Sequence, residues 1–432
     1  MVEERNVPKG YKMTEVGVIP ENWRVVTFGE AFDFLPTGNN SREEMKTQGI
    51  VQYIHYGDIH TKWSYILDCD KNYIPFIDEI LVRNLPIIEE GDLIIADASE
   101  DYAGIGISIE VKNVRERKIV SGLHTLLLRG DKRIFCDGFK GYIQAMKPVK
   151  NQLIKIATGI SVYGISKNSL KKVFIPVPTL LEQQAIAEVL SDVDNLIVSL
   201  KKLIDKKKKI KQGAMQELLS GRKRLPGFTG KWVVKKLGEI GEIAGAGVDK
   251  KIKPNEPKVR LVNYLDVYHK DFIYSNQLTH VVSAPQSKIL KCGVKKGDIY
   301  FTPSSETRND IGLSAVAMED IPDAVYSYHV VRLRLFDNWD VKFRTYIFKT
   351  KFFLEQAETV CEGSGKRYVI SLKKFRDLEI MYPADYNEQQ AIAQILFNMD
   401  SEIEALEQKL EKYKAIKQGM MQELLTGRIR LI

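Results

Sequence analysis

Residues 182–225, EQQAIAEVLSDVDNLIVSLKKLIDKKKKIKQGAMQELLSGRKRL, recur at residues 388–431 as EQQAIAQILFNMDSEIEALEQKLEKYKAIKQGMMQELLTGRIRL. Aligned without a gap, the two stretches share 25 identities in 44 positions, which chance does not produce. An internal repeat of this period indicates an architecture built from duplicated units. The sequence therefore predicts one structural unit written twice.

The sequence before each of these stretches also repeats, but more faintly. Landmark residues keep their order at offsets between 205 and 209, so small loop insertions separate the two copies. The paired landmarks are Trp23 and Trp232, Tyr56 and Tyr264, Asp58 and Asp266, Gly91-Asp92 and Gly297-Asp298, Ser99-Glu100 and Ser305-Glu306, and His124 and His329. The two stretches 182–225 and 388–431 are similar in sequence, whereas the two modules that precede them differ much more. A protein that binds two identical partners and reads two different targets would show this asymmetry.

Both repeated stretches are predicted to be long helices that pair with each other. Residues 179–182 (TLLE) and 385–388 (DYNE) have the capping-box pattern, and Gly221 and Gly427 are suited to a left-handed cap. Apolar residues then recur at alternating steps of four and three, which is the heptad seam of a coiled coil. The predicted helix-pairing residues are Ile186, Leu190, Val193, Ile197, Leu200, Ile204, Ile392, Leu396, Met399, Ile403, Leu406 and Leu410. Because a module separates the helices in the chain, antiparallel pairing is favoured.

Opposite charges on the two helices support this pairing. Residues 201–211 carry seven lysines and one aspartate, whereas residues 402–411 carry four glutamates and one lysine. The lysine run either contacts DNA, or is a solvated face and a partner for those glutamates, and the second interpretation is favoured. Residues 182–219 would form a rod of roughly 57 Å at about 1.5 Å per residue, holding the two modules a fixed distance apart.

The two modules are predicted to be mixtures of short strands and helices. Strands are expected at 92–96, 123–128 and 330–335, and helices at 134–146 and 341–357. The expected fold class is α+β with a pseudo-two-fold repeat. In it, two tandem mixed α/β modules (1–179 and 223–384) are separated by two long helices (180–222 and 385–432) that form an antiparallel intramolecular coiled coil.

Polar loops at matched places in the two modules carry the candidate DNA-binding residues. Arginine can form two hydrogen bonds with guanine, and asparagine two with adenine, while a carboxylate can accept one from the cytosine amine. Lysine and backbone NH groups bind phosphates. The candidates in the first module are Thr37, Asn39, Asn40, Arg42, Ser99, Glu100, Tyr102, Ser161 and Tyr163. Those in the second are Lys250, Lys251, Ser305, Thr307, Arg308, Asn309, Lys366, Arg367 and Tyr368. Any one such loop can equally be a polar surface turn, so the hypothesis rests on their recurrence.

Signals for catalysis, metal binding and membrane insertion are lacking in the sequence. Gly363-Ser364-Gly365-Lys366 falls short of a phosphate loop because Val360 stands at the first glycine position and Arg367 at the position of the magnesium-ligating Ser or Thr. The six histidines do not cluster at metal-ligand spacing, so no metal or catalytic residue is expected. Four scattered cysteines and a charged N-terminus (Met1 to Arg5) predict a cytoplasmic chain without a signal peptide or a membrane span. The net charge of +8 permits a polyanionic partner.

Two half-chain modules, each followed by a helix that begins EQQAIA and ends QELL(S/T)GR, resemble the specificity subunit of type I restriction-modification systems. The stretches 91–95 and 159–178 resemble its target recognition domains. The resemblance implies that each module reads one half of a bipartite, asymmetric double-stranded DNA target. It implies that the helices set the spacer and dock two methyltransferase subunits, with restriction subunits joining the complex. S-adenosylmethionine, ATP and magnesium are then expected in those partner subunits, and no cofactor in this non-catalytic chain.

Two alternatives stay open. The chain could be the specificity subunit of another restriction class whose partner fuses methylase and nuclease, which gene neighbourhood would reveal. It could also be a coiled-coil adaptor that binds no DNA, although such an adaptor gives no reason for matched polar loops. A salt-titrated DNA-binding assay separates the second alternative, because phosphate contacts make affinity fall steeply with salt.

Overall fold

The computed structural model describes residues 7–245, 247–365 and 367–432. Met1 to Arg5, on which the signal-peptide prediction rests, and Lys366, a candidate DNA-binding residue, lie outside the described residues. The chain divides into two compact units. Unit 1 comprises Met1–Leu200 and Lys409–Ile432, and unit 2 comprises Lys201–Gln408. Each unit therefore contains one module together with a segment of each long helix.

The module of unit 1 alternates short strands with short helices. Its elements are β1 (Tyr11–Thr14), β2 (Gly17–Pro20), β3 (Arg24–Thr27), α1 (Phe28–Ala31), β4 (Phe32–Leu35), β5 (Val51–Ile54), α2 (Tyr56–Thr61), β6 (Tyr65–Asp68), β7 (Phe76–Ile77), α3 (Glu79–Val82), β8 (Leu93–Ala96), β9 (Ala98–Ser99), β10 (Ser108–Lys112), β11 (Lys118–Ser121), β12 (Thr125–Gly130), α4 (Lys147–Ile156), β13 (Tyr163–Gly164), α5 (Lys167–Leu170) and β14 (Phe174–Val177). The long helix α6 (Leu180–Leu218) follows.

The module of unit 2 has a matching order of elements. They are β15 (Trp232–Lys236), α7 (Leu237–Ile240), β16 (Gly241–Ala244), β17 (Lys258–Val262), α8 (Tyr264–His269), β18 (Phe272–Ile273), β19 (Val281–Ser283), α9 (Gln286–Cys292), β20 (Gly293–Val294), β21 (Ile299–Phe301), β22 (Ser304–Ser305), β23 (Ser314–Ala317), β24 (Ile321–Tyr326), β25 (Val331–Leu335), α10 (Val341–Ile347), α11 (Lys351–Val360), β26 (Glu362–Ser364), β27 (Arg367–Val369), α12 (Leu372–Asp377) and β28 (Glu379–Pro383). The second long helix, α13 (Tyr386–Leu424), ends the fold.

Each module is organised around a five-stranded sheet of the same topology. The strand order is β4-β12-β8-β10-β6 in unit 1 and β16-β25-β21-β23-β18 in unit 2. In both sheets the last pair, β10 with β6 and β23 with β18, is parallel, and the other pairs are antiparallel. A second sheet in each module pairs one strand parallel with another, β11 with β5 and β24 with β17. The repeat seen in the sequence is therefore a repeat of the fold.

The repeated Gly-Asp landmark has a structural role in both sheets. Gly91 and Gly297 each have φ +83°, in the left-handed region that glycine adopts at least cost. The Asp92 carboxylate, buried in the sheet, accepts two hydrogen bonds from Arg129, at 3.0 and 2.8 Å. Asp298 accepts two at 2.7 Å from Arg334 in the second module. This landmark therefore stabilises the module and does not belong to a binding site.

The strands predicted from sequence are confirmed as β8, β12 and β25, but both predicted module helices are wrong in extent. Residues 134–146 hold only a 3-10 turn at Lys140–Ala145, and the α-helix begins afterwards at Lys147, with Pro148 at its start. Gly138, at φ +92°, breaks the predicted segment. The predicted helix 341–357 is two helices, α10 and α11, because the chain turns after Ile347 and Thr350 caps the second helix at Phe353 N.

The hydrophobic cores lie between the five-stranded sheets and the helices packed on them. In unit 1, Ile186 and Leu190 of α6 and Leu424 and Leu425 at the end of α13 belong to the same core cluster as Phe139. In unit 2, Ile392 and Leu396 pack in one cluster with Leu218 and Leu219. The ends of the long helices are therefore part of the module cores. None of the helices in residues 7–245, 247–365 and 367–432 is both long and apolar enough to cross a membrane.

Candidate nucleic-acid interface

The loop 37–42 of the first module is pinned to the strands beneath it. Thr37 Oγ1 donates to the Thr125 carbonyl at 3.1 Å, and the Asn40 amide donates to the Tyr53 hydroxyl at 3.1 Å. Arg42 Nη2 donates to Asp58 Oδ1 at 3.1 Å, while half of the Arg42 side chain stays exposed. Loop residues positioned by a rigid sheet in this way are suited to binding.

A second polar surface in this module is built by the Ser99–Tyr102 turn and the hairpin 158–164. Strand β13 pairs antiparallel with β9, which places Tyr163 opposite Ser99. The Tyr102 and Tyr163 rings lie 4.1 Å apart, centroid to centroid, and half of the Tyr102 side chain is exposed. Glu100 and Ser161 are exposed nearby in the same two segments. Aromatic rings and polar groups are therefore brought together at the edge of the module.

Helix α2 joins the two loop groups. At its N-terminal end, Asp58 holds Arg42, and at its other end, His60 Nε2 hydrogen-bonds the Ala98 carbonyl at 2.9 Å. The Asp58 carboxylate is fully buried, and its Oδ2 has no hydrogen-bond partner in the described part of the chain. Sequence reasoning missed this helix, although Tyr56 and Asp58 were among the repeated landmarks. It brings Arg42 of the first loop and Ser99 of the second onto one side of the module.

His124, matched with His329 in the sequence, lies beside these loops. Its Nδ1 is 3.3 Å from Asp97 Oδ1, and its ring meets that of Tyr56 edge-on at 5.2 Å. Burial raises the pKa of the Asp97 carboxyl above its ordinary value. The pair is therefore part of the polar edge of the module rather than of its core.

The second module brings its candidates together in the same order. Strand β22 pairs antiparallel with β27, which places Ser305 opposite Tyr368. The Arg308 guanidinium lies 5.0 Å from the Tyr368 ring centroid, a cation–π distance. Thr307 Oγ1 donates to Asp310 Oδ2 at 2.8 Å, which closes the turn on which the exposed Asn309 stands. The turn and the hairpin thus match the Ser99–Tyr163 arrangement of the first module.

Basic residues surround His329 in this module. Burial, and next the positive charges of Lys250 and Arg367, lower the pKa of His329 below its ordinary value. Lys250 and its neighbour Lys251 are both exposed, on the loop that corresponds to 37–42. The bridge between Val248 and Ser327 lies just before Lys250, so this part of the loop is anchored near His329. Cations of two separate segments therefore meet at one edge of the second module.

The long helices carry a buried carboxylate at each N-terminal end. In unit 1, Glu182 accepts from Trp23 Nε1 at 2.8 Å and from Arg430 Nη2 at 2.8 Å. In unit 2, Glu388 accepts two bonds from Arg224, at 2.6 and 2.7 Å, and one from Trp232 Nε1 at 3.4 Å. Both glutamate side chains are 1% exposed.

These clusters correct the predicted capping boxes. The Thr179 hydroxyl does accept from the Glu182 amide, at 3.4 Å, but the Glu182 carboxylate is used by tryptophan and arginine instead of the cap. Since Arg430 and Arg224 follow the end of the opposite helix, each cluster joins a helix start, a helix end and a module. The predicted left-handed caps are confirmed, because Gly221 and Gly427 both have φ +68°.

A second repeated cluster lies further along the helices. Lys417 Nζ is 2.6 Å from Asp194 Oδ1 in unit 1, and Asp194 Oδ2 accepts from the Tyr142 hydroxyl at 3.2 Å. In unit 2, Lys211 pairs with Asp400, and Asp400 Oδ2 accepts from the Tyr346 hydroxyl at 2.7 Å. In each unit the residue numbers of successive bonded pairs increase along one helix and decrease along the other. The two helix segments of each unit are therefore antiparallel.

Burial is known for the twelve predicted helix-pairing residues, and whether they pair with each other stays a prediction. Nine of the twelve are buried, and Val193, Met399 and Leu406 are half-buried. In the lysine run, Lys207 Nζ lies 2.6 Å from Glu402 Oε1 and Lys208 Nζ lies 2.7 Å from Glu407 Oε1. For these two lysines the structure shows pairing with the acidic helix. Among the described residues, no group of three or more His, Cys, Asp or Glu side chains is placed to hold a metal ion.

Comparison with known proteins identifies the family. The model of the type I restriction modification DNA specificity domain matches twice, at residues 20–212 and 229–415. The putative type I restriction enzyme MjaX specificity subunit of Methanocaldococcus jannaschii is 24% identical over 447 residues, which cover 98% of this chain and 97% of the relative. The MjaVIII specificity subunit of the same organism is also 24% identical, over 438 residues covering 96% of this chain and 94% of that one.

A solved structure shares the fold. The S subunit of a type I restriction-modification system from M. genitalium superposes with a TM-score of 0.54 at 17% sequence identity, over 93% of this chain and 96% of that chain. Because the two family matches together span most of the sequence, each module with its following helix is one copy of the family's domain. The chain belongs to the family of DNA specificity subunits of type I restriction-modification systems, with the DNA specificity domain present twice.

Proposed function

We propose that each module binds one half of a bipartite, asymmetric double-stranded DNA target, and that the two long helices set the spacer between the halves. The helices also dock two copies of a methyltransferase subunit, to which restriction subunits are added. The chain itself is non-catalytic and works in the cytoplasm, where its DNA is. S-adenosylmethionine belongs to the methyltransferase subunits, and ATP and magnesium to the restriction subunits.

The observation that carries the docking proposal is a repeated exposed helix face. Lys206, Ile210, Gly213 and Glu217 on α6 are spaced so that they lie on one side of the helix. The same four residue types recur on α13 as Lys412, Ile416, Gly419 and Glu423. We call each set of four an exposed repeat face. Ile210 and Ile416 are 47% and 38% exposed, although apolar side chains gain from burial.

The two glycines of the exposed repeat faces have open space beside them in the part of the chain that the structure describes. A Cβ added at Gly213 or Gly419 would meet nothing within 4 Å. A glycine inside a helix costs about 1 kcal/mol relative to alanine, so its presence in both copies needs a reason outside the chain. Close approach of a partner's backbone is such a reason, and two identical faces favour two copies of one partner.

The contrast between buried and exposed repeated residues supports this interpretation. Buried repeated residues such as Glu182 and Asp194 are accounted for by bonds inside their own unit. Of the exposed repeat faces, the partly exposed Glu423 pairs with Arg428 at 2.9 Å, whereas Ile210, Ile416, Gly213 and Gly419 are not accounted for in this way. Residues at the DNA-binding loops, by contrast, differ between modules, with Arg42 in one and Lys251 in the matching loop of the other. A protein that binds two copies of one partner and two different DNA half-sites requires identical docking faces and different DNA-binding loops.

The docking proposal is tested by counting methyltransferase subunits bound to the chain. Native mass spectrometry of the chain co-expressed with the methyltransferase subunit of its host should give two copies per wild-type chain. Gly419→Leu should reduce this to one, and Gly213→Leu with Gly419→Leu to none, because leucine fills the approach. Since leucine is a better helix former than glycine, the variants should be no less stable than the wild type.

Matched controls are Ser199→Leu and Ala405→Leu. Both positions are exposed on the same helices, but the residue differs between the two copies. These variants should keep two methyltransferase subunits. Loss of binding in the controls, or two bound subunits in the double glycine variant, would refute the assignment of the exposed repeat faces.

DNA binding is tested by titrating salt with the assembled complex. A duplex that carries the sequence methylated in the host should bind with an affinity that falls linearly on logarithmic axes as salt rises. An affinity that does not change with salt, or an affinity equal to that for an unrelated duplex, would favour the alternative of an adaptor that binds no DNA.

A further inference from the structure

The hairpin 158–164 of the first module presents an apolar side chain at its tip. Ile160 is 94% exposed, the highest value for a large apolar residue in the part of the chain that the structure describes. Val162, two residues on, is 56% exposed. Single exposed apolar residues are common on protein surfaces, so exposure alone decides nothing. The position and surroundings of Ile160 are what distinguish it.

The hairpin is tightly built. Thr158 and Gly164 exchange backbone hydrogen bonds, with N···O distances of 3.0 and 2.7 Å. Gly159 has φ +138°, and a Cβ there would lie 1.9 Å from the Val162 carbonyl oxygen. Only glycine fits such a turn. Ile160 is therefore held on a fixed turn, next to the Tyr163 ring that contacts Tyr102.

The charge around the hairpin indicates what Ile160 meets. Residues 138–181, which include the hairpin, contain seven lysines and no aspartate or glutamate. Lys155, at the end of α4 just before the hairpin, is exposed. The segment that carries the hairpin is thus rich in lysine, while the facing turn adds the exposed Glu100. An apolar tip on a lysine-rich segment is complementary to a polyanion with an apolar interior, and stacked DNA bases between phosphate strands fit that description.

The second module has a hairpin at the matching place, formed by β26 and β27. Gly363 has φ +131°, and a Cβ there would lie 2.2 Å from the Arg367 carbonyl oxygen, as at Gly159. Between Gly363 and Tyr368 the sequence is Ser-Gly-Lys-Arg, one residue longer than Ile160-Ser161-Val162 between Gly159 and Tyr163. The two hairpins therefore both begin with a glycine at positive φ, but they differ in the length of the turn and in the side chains that they present.

We propose that Ile160 is an apolar wedge that enters the DNA of the first half-site and partly unstacks one base step, whereas the second module's hairpin contacts DNA through the exposed Arg367. Aliphatic wedges of this kind kink DNA at the inserted step. The energy of unstacking depends on the step, so Ile160 adds sequence preference without a hydrogen bond to a base. This inference rests on the proposed DNA binding of the modules.

The test uses the full complex and a duplex that carries the host's methylated sequence. 2-Aminopurine is placed in turn at each adenine of the two half-sites except the methylated base, because a methyltransferase flips its target base out of the stack. Wild-type complex should raise 2-aminopurine fluorescence at a position in the half-site of module 1. Ile160→Ser should abolish that rise and weaken binding about tenfold, the scale for losing one buried aliphatic side chain. The slope of affinity against salt should stay unchanged, because no phosphate contact is removed.

Two further variants separate the wedge from a general surface effect. Ile160→Leu keeps an aliphatic tip and should keep both the fluorescence rise and the affinity. Ile80→Ser is the matched control, since Ile80 is 75% exposed on α3 of the same module, and it should bind like the wild type.

Two results would overturn the wedge and leave the proposed function standing. One is that Ile160→Ser binds DNA as tightly as the wild type, with the same salt dependence. The other is that the fluorescence rise survives the substitution. Absence of DNA binding by the wild-type complex would overturn both.

Discussion

Removing the buried carboxylate of Glu182 should weaken unit 1 selectively. The side chain is 1% exposed and bonds both Trp23 and Arg430. Breaking a buried ion pair by deleting one partner costs about 3–5 kcal/mol, because the other charge stays unpaired. Arg430 keeps 29% exposure and can rehydrate, so Glu182→Ala should fall near the lower limit, about 3 kcal/mol. Arg430→Ala strands the fully buried carboxylate and should fall near the upper limit.

Hydrogen exchange followed by mass spectrometry measures this loss locally. A drop of about 3 kcal/mol in the opening free energy accelerates exchange by roughly a hundredfold in the core strands of the affected unit. Strand β8 of unit 1 should show this acceleration, while strand β21 of unit 2 should not. Glu188→Ala is the control, since Glu188 is exposed on the same helix, and it should stay within about 0.5 kcal/mol of the wild type. Exchange in Glu182→Ala that matches this control would refute the role of the cluster.

Three further predictions follow from the duplicated architecture. Replacing residues 232–383 by the corresponding module of a relative should change one half of the methylated sequence only, and a change in both halves in the methylome would exclude independent reading. Inserting four residues, one helical turn, at 204–207 of α6 should lengthen the spacer by about one to two base pairs with both half-sites unaltered, since a turn rises about 5.4 Å and a base pair about 3.4 Å; unchanged spacing in the methylome would contradict it. The half-chain 1–226 should form a dimer, because Arg224 of one copy can pair with Glu182 of the other as Arg430 does in the full chain; a monomer by light scattering would count against the equivalence of the two helices.

The long helices were the part of the fold most open to prediction. Their apolar spacing, their glycine caps and the charges at Lys207 and Glu402 are local patterns, and the structure has helices of 39 residues at both places. The capping-box pattern did not predict that the carboxylates of Glu182 and Glu388 bond distant arginines instead of the helix cap. The identity of these residues in both copies was the available signal, but their partners are remote in the chain.

The modules were less predictable because their helices depend on tertiary context. Residues 134–146 have helical spacing, yet Gly138 takes a left-handed conformation and the helix begins only at Lys147. The candidate loops were located correctly as polar segments at matched positions, and whether they contact DNA stays a prediction. Their grouping could not be predicted from sequence, because it depends on helix α2. Asp58 of this helix bonds Arg42, and His60 bonds the carbonyl of Ala98, the residue before Ser99.

Mapping methylated bases across the host genome by single-molecule sequencing tests the central claim most directly. With the gene intact, we predict a methylated motif of two unlike half-sites separated by a spacer of fixed length, and loss of that motif when the gene is deleted. A gene-dependent motif without a spacer, or with a spacer of variable length, would contradict the claim. The claim is that two DNA-binding modules are held a fixed distance apart by one pair of helices.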